Sequence, residues 1–228
     1  DEQKEKAREN IQSTLNRLIS YQIADGSFSY WPGQNHGNQW GGVYAGHFLL
    51  AAKQEGYDLP VGMLRNWLNY QKQAARNWSV TNKNLSFYGY RMNDFIQAYR
   101  LYALALAGET EMGAMNRLKE KDGLSLQARW RLAGAYQLAG KPEVAKGLVS
   151  GVSTKVKKYR ELGYTYGSSL RDQAMILETL VLMGDESTAN TLVREISKDF
   201  RDRRWHSTQT TAYCLLAFSQ FAEGFDAG

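Results

Sequence analysis

The sequence predicts an all-α fold, an α/α toroid built from repeated helical hairpins. Three observations carry this. Apolar residues recur at helical spacing through most of the chain. Only three prolines occur in 228 residues, which favours long helices. A unit also repeats: an apolar helix ends at a glycine turn, and an amphipathic helix follows.

Ile11, Leu15, Leu18 and Ile19 line one face of a first helix that reaches about Tyr21–Gln22. Asp25-Gly26-Ser27 is a turn signal that stops it. A second, apolar helix is expected from Val43 to Gln54, ended by Gly56. Pro60 is suited to the first position of a third helix carrying Met63, Leu64, Trp67, Leu68 and Tyr70.

The repeating unit then reads Leu104-Ala105-Leu106-Ala107-Gly108, Tyr136-Gln137-Leu138-Ala139-Gly140 and Leu180-Val181-Leu182-Met183-Gly184. Each glycine sits where a left-handed C-cap is required. Thr110, Pro142 and Ser187 are plausible starts for the helices that follow.

Long aromatic connections separate these units: 77–91, 153–169 and 202–208. They carry Phe87-Tyr88-Gly89-Tyr90, Tyr164-Thr165-Tyr166 and Trp205-His206, and Phe28-Ser29-Tyr30-Trp31 has the same character. An apolar helix follows each one, from Val43, Phe95, Ala174 and Ala212. That alternation suits a single ring over 1–228, with apolar helices inside, amphipathic helices outside and aromatic loops at one rim. An open solenoid is the competing geometry.

The formal net charge is +5, with basic residues dispersed rather than striped along one face, so nucleic acid is not an expected partner. The single cysteine, Cys214, excludes an internal disulfide or a cysteine-rich metal cluster, and its apolar neighbours make it a buried thiol. Neither a membrane span nor a signal peptide is read in the chain. Because it starts in helical character without methionine, a fragment of a longer protein is expected.

A complete catalytic site is not legible. Asp94 and Asp172 occupy equivalent places just inside two apolar helices. Two convergent carboxylates could serve acid–base chemistry. The preferred reading is a first-turn acid favoured by the helix dipole. His36, His47 and His206 show no metal-ligand spacing. His47 reads as a hydrogen-bonded core histidine, while His36 and His206 lie in loops that could meet at the rim. A Cys214–His206 nucleophile pair is disfavoured, since Cys214 lies more than a turn inside its helix. No cofactor or metal is expected. The candidate rim surface comprises Trp31, His36, Trp40, Tyr44, Tyr90, Asp94, Tyr166, Arg171, Asp172, Trp205, His206 and Gln209.

Several segments, in order, resemble one family. Gln22-Ile23-Ala24-Asp25-Gly26-Ser27-Phe28-Ser29-Tyr30-Trp31 is similar to the Gln-x-x-Asp-Gly-Ser/Gly-Phe-x-x-Trp stretch of bacterial α2-macroglobulins. Tyr166-Gly167-Ser168-Ser169-Leu170-Arg171-Asp172 resembles that family's Tyr-Gly-Ser-x-Leu-Arg-Asp motif, and Arg204-Trp205-His206-Ser207-Thr208-Gln209 its Arg-Trp-x-Ser-Thr-Gln motif.

The resemblance implies the C-terminal part of a thioester-containing domain, a toroid of the terpenoid cyclase and prenyltransferase type. It also implies an exported cell-envelope parent that traps proteases without catalysing a reaction. Implied partners are the parent's other domains and the target proteases. The family's Cys-x-Glu-Gln thioester does not occur here, since Cys214 is followed by Leu-Leu-Ala. Two alternatives remain open: a carbohydrate-active toroid enzyme using Asp94 and Asp172, and a helical-repeat scaffold binding partners through its aromatic loops.

Overall fold

Two kinds of helix become two layers in the computed structural model, which describes residues 2–79, 93–202 and 205–225. The described residues form α1 (Glu2–Arg17), α2 (Gln39–Gln54), α3 (Met63–Asn77), α4 (Asn93–Leu106) and α5 (Met112–Lys119). There follow α6 (Leu126–Leu138), α7 (Pro142–Val149), α8 (Ser169–Met183), α9 (Glu186–Arg201) and α10 (Thr208–Phe225). Their only β features are two isolated bridges, Gln22–Phe28 and Arg160–Ser168.

Helices α2, α4, α6, α8 and α10 pack successively against one another; α3, α5 and α9 pack beside both neighbours in sequence, and α7 packs on α6. The sequence explains which is which. Helix α4 is buried at every position from Asp94 to Ala105, as a helix enclosed on all sides must be. Helix α3 buries only Met63, Trp67, Gln71 and Ala75, a single stripe at four-residue spacing. The same contrast separates α8 from α9, which buries only Ala189, Leu192 and Ile196. Helices α2 and α10 meet through side chains, with the Tyr44 and Tyr213 rings 5.5 Å apart, which brings the first and last inner helices together.

The predicted glycine stops are all present. Gly108, Gly140 and Gly184 have φ between 68° and 76°. Each makes the paired bonds of a Schellman turn: Gly184 N–H donates to Val181 O and Asp185 N–H to Leu180 O, at 3.0 and 3.1 Å. Because each outer helix runs back along its inner partner, the inner helices are parallel, with their N-termini at one rim.

Several boundaries differ from the sequence reading. The first helix ends at Arg17 and tightens into a 3₁₀ turn over Leu18–Ser20, leaving Ile19 58% exposed rather than on the core face. Pro60 lies before α3, its carbonyl accepting from Met63 N–H, and Gly62 in the left-handed region is the N-cap. Helix α2 begins earlier than Val43 because the Asn38 side chain caps it, accepting from Gly41 N–H. Helix α9 is capped by Asp185, not Ser187, and α5 starts after Glu111, not at Thr110. Pro142 does occupy the first turn of α7.

Candidate functional site

Parallel inner helices bring equivalent positions to one axis, and the polar residues found there form two layers. The upper layer lies in the first turns. Arg171, fully buried, donates from Nε (2.9 Å) and Nη2 (2.7 Å) to Asp172 Oδ1. It donates from Nη1 to Gln209 Oε1 at 2.9 Å and covers the Trp40 ring at 4.3 Å. Gln209 Oε1 also accepts from Trp40 Nε1 at 3.2 Å. Asp172 Oδ2 accepts from Tyr159 Oη at 2.6 Å and Gln127 Nε2 at 3.0 Å. Helices α2, α6, α8 and α10 are thus tied together by one arginine–aspartate pair.

One to two turns deeper lies a second layer drawn from every inner helix. Glu178 of α8 accepts from Arg131 Nη1 of α6 at 2.6 Å, and His47 Nε2 of α2 stands 3.6 Å from its other oxygen. His47 Nδ1 is 3.0 Å from the Tyr99 hydroxyl of α4, which accepts from Tyr213 Oη of α10. Arg131 Nε and Nη2 have no hydrogen-bond acceptor. Their guanidinium instead lies 4.2 Å from the Tyr102 ring and 5.5 Å from the Tyr99 ring, a cation–π arrangement.

Charge states follow from this geometry. Burial holds His47 below its ordinary value of 6.5; the Glu178 charge opposes that shift and Arg131 reinforces it. Burial alone would raise Glu178, but the Arg131 charge and its hydrogen bond hold the carboxyl below its usual range. Neutral His47 therefore sits beside an ion pair. Cys214, also buried, has its thiol pushed up to about 12 by desolvation, so it is no nucleophile at neutral pH.

The residues expected at the rim divide into two groups. Trp40, Asp94, Arg171 and Asp172 are buried, so they hold the ring together instead of presenting a surface. Asp94 accepts from Ser125 N–H at 2.8 Å and from its hydroxyl at 3.2 Å, anchoring the N-cap of α6. Asp94 and Asp172 thus belong to separate hydrogen-bond networks. Gln209 and Tyr44 are half-buried within the ring. His47 is the core histidine the sequence suggests.

Trp31, Tyr166 and Trp205 are exposed, at 62, 36 and 67%. Exposed His36 stands 3.5 Å from its neighbour Asn35, while His206 stacks on Phe200 with ring centroids 5.5 Å apart. Tyr90 lies outside the described residues.

The motif residues have mostly structural work. Gln22 Nε2 donates to Gly26 O at 3.2 Å and Met63 O at 3.0 Å, pinning the first loop to α3. Gly26 has φ 90°, and a β-carbon there would come 2.3 Å from Asn66 O. Ser168 and Ser207 accept from Arg171 N–H and Thr210 N–H, capping α8 and α10. Among the described residues, no three His, Cys, Asp or Glu side chains are grouped to hold a metal ion. None of the described helices is long and apolar enough to cross a membrane.

Fold and site together define a helical toroid with an ion-paired axis and an aromatic rim. Comparison with known proteins places it more closely. No protein-family model matches the chain. It is 27% identical over 225 residues to the α2-macroglobulin of Escherichia coli strain K12, a match covering 93% of the chain. It is 28% identical over 218 residues, 88% of the chain, to that of Xylella fastidiosa strain Temecula1. The chain spans 13% of the length of each.

The native E. coli structure running from domain MG7 to the C-terminus superposes with a TM-score of 0.81 at 22% identity. The match covers 97% of this chain and 35% of that one. The E. coli protein activated by porcine elastase gives 0.78 at 23% identity, over 93% of this chain and 19% of that one. The chain is thus a relative of the bacterial α2-macroglobulins, corresponding to part of their C-terminal region.

Proposed function

We propose that this chain is a single, non-enzymatic toroid domain of a longer, exported α2-macroglobulin-like protein that traps proteases in the cell envelope. The observation that supports this most is the match to α2-macroglobulins along 93% of the chain. The domain's part is to pack against the other domains of the parent. Any covalent capture step belongs outside this chain, because its one cysteine precedes Leu-Leu-Ala and is buried.

Two observations weigh against a carbohydrate-active enzyme: Asp94 and Asp172 are both buried, and each is saturated by separate partners. A bare interaction scaffold would fit the same rim but leaves the ordered family motifs without explanation.

The test uses the full-length protein that carries this chain. Incubation with trypsin or elastase should change its native-gel mobility and leave the protease active on small substrates but blocked on large ones. An unchanged mobility, with protein-sized substrates still cleaved, would sink the reading.

A further inference from the structure

At the rim, where Tyr166, Trp205 and His206 lie, there is a cleft. It encloses about 390 Å³ between the N-termini of α8 and α10 and the 158–170 loop. That volume falls within the range of about 300–1,000 Å³ for small-ligand sites. We propose that it binds a neutral pyranose oligosaccharide.

The aromatic wall is the first reason. Tyr166 and Trp205 both line the cleft. Tyr166 is held at φ 49°, in the left-handed region that favours glycine. Its ring stacks on Tyr30 at 6.2 Å, and the two hydroxyls are hydrogen-bonded at 2.8 Å. Trp205 has the Arg160 guanidinium 4.5 Å from its ring, yet the residue stays 67% exposed. Two aromatic surfaces are therefore fixed in advance and open to water. Trp31, edge-on to Tyr30 at 5.2 Å and itself exposed, extends the strip beyond the cleft. Fixed, wet aromatic faces suit the C–H face of a pyranose ring, which is apolar while its edge is hydroxylated.

The floor is the second reason. His206 lines the cleft with its plane set by Phe200, and its Nε2 is buried without a partner. Asp199 supplies a carboxylate acceptor nearby. The lining holds Lys158 and Arg160 as well as Glu161, Asp199 and Asp202, so it is mixed in sign. A mixed lining disfavours a polyanion such as nucleic acid. Leu170 is the one large aliphatic residue in the lining, which disfavours an apolar peptide anchor.

The proposal does not depend on the trap reading. Its test titrates the full chain with chitotetraose and with cellotetraose, followed by tryptophan fluorescence and saturation-transfer NMR. Saturable binding of at least one sugar is expected. Trp205→Ala should weaken it at least about tenfold, the loss of one aromatic contact, and Asp199→Asn should weaken it less. Leu215→Ala, exposed but outside the cleft, should leave it unchanged, and circular dichroism should show all variants folded. The proposal fails if neither sugar binds below about 10 mM. It fails equally if Trp205→Ala binds as the parent does, or if an unfolded casein peptide occupies the Trp205 face while both sugars are inert.

Discussion

Gly46 has no side chain because Trp67 occupies the place where one would go. A β-carbon there would lie 1.9 Å from Trp67 Cε2, and the indole cannot retreat. It is fully buried and donates from Nε1 to Gly42 O at 2.7 Å. Gly46→Ala should therefore destabilise the fold by about 1–3 kcal/mol through overpacking. Gly113→Ala, in a helix with nothing within 4 Å, should be neutral or stabilising by up to about 1 kcal/mol. Urea midpoints of the two variants decide it; equal effects would refute the packing argument.

Legibility at single positions follows the same divide between local and distant causes. The importance of Arg171, Asp172 and Gln209 was visible because they sit in recognisable motifs. Their burial was not, because it depends on Trp40 and Gln127 arriving from other helices. Arg131 and Glu178 are masked in the sequence by their apolar neighbours. The available signal was opposite charge at interior positions of two neighbouring inner helices, Trp130-Arg131-Leu132 and Leu177-Glu178-Thr179.

Helix ends were legible where local chemistry decides them. A glycine in the left-handed region needs no tertiary partner, so Gly108, Gly140 and Gly184 marked true ends. Helix starts were less legible because several Asx, Ser and Thr candidates lie close together. Asp185 prevails over Ser187 because it follows the Gly184 turn directly and its Oδ1 accepts from Thr188 N–H at 3.1 Å. Asp185→Ala should cost about 1 kcal/mol. Gly184→Ala should cost about 1–2 kcal/mol from backbone strain alone, since nothing crowds the position. Hydrogen exchange should show faster opening of α9 in both variants. Unchanged protection there would mean that packing of Ala189, Leu192 and Ile196, and not the cap, sets the stability of this element.

Ring closure depends on the axis, whose deeper layer joins five helices around the Arg131–Glu178 ion pair and a neutral histidine. This makes the assembled toroid acid-sensitive, and the sign can be worked out. His47 is held below 6.5 in the fold, so the unfolded chain binds the extra proton first. Its contribution is complete above pH 6.5 and falls as pH drops below that value, by at most about 1.4 kcal/mol per pH unit for one proton. Glu178 is likewise held below its ordinary 4.5, so its contribution is lost only in a second, lower window. Breaking the pair outright by Glu178→Ala should cost about 3–5 kcal/mol, because it strands Arg131 as a buried charge.

Urea midpoints measured at pH 7.5, 6.0 and 5.0 should therefore decline for the parent chain and decline less for His47→Gln, which cannot titrate. Below pH 4.5 the two should fall together. Parallel curves across the upper window would place the acid sensitivity elsewhere and leave His47 as a packing residue. Separate curves would identify it as the group through which protons loosen the contact between α2 and α8.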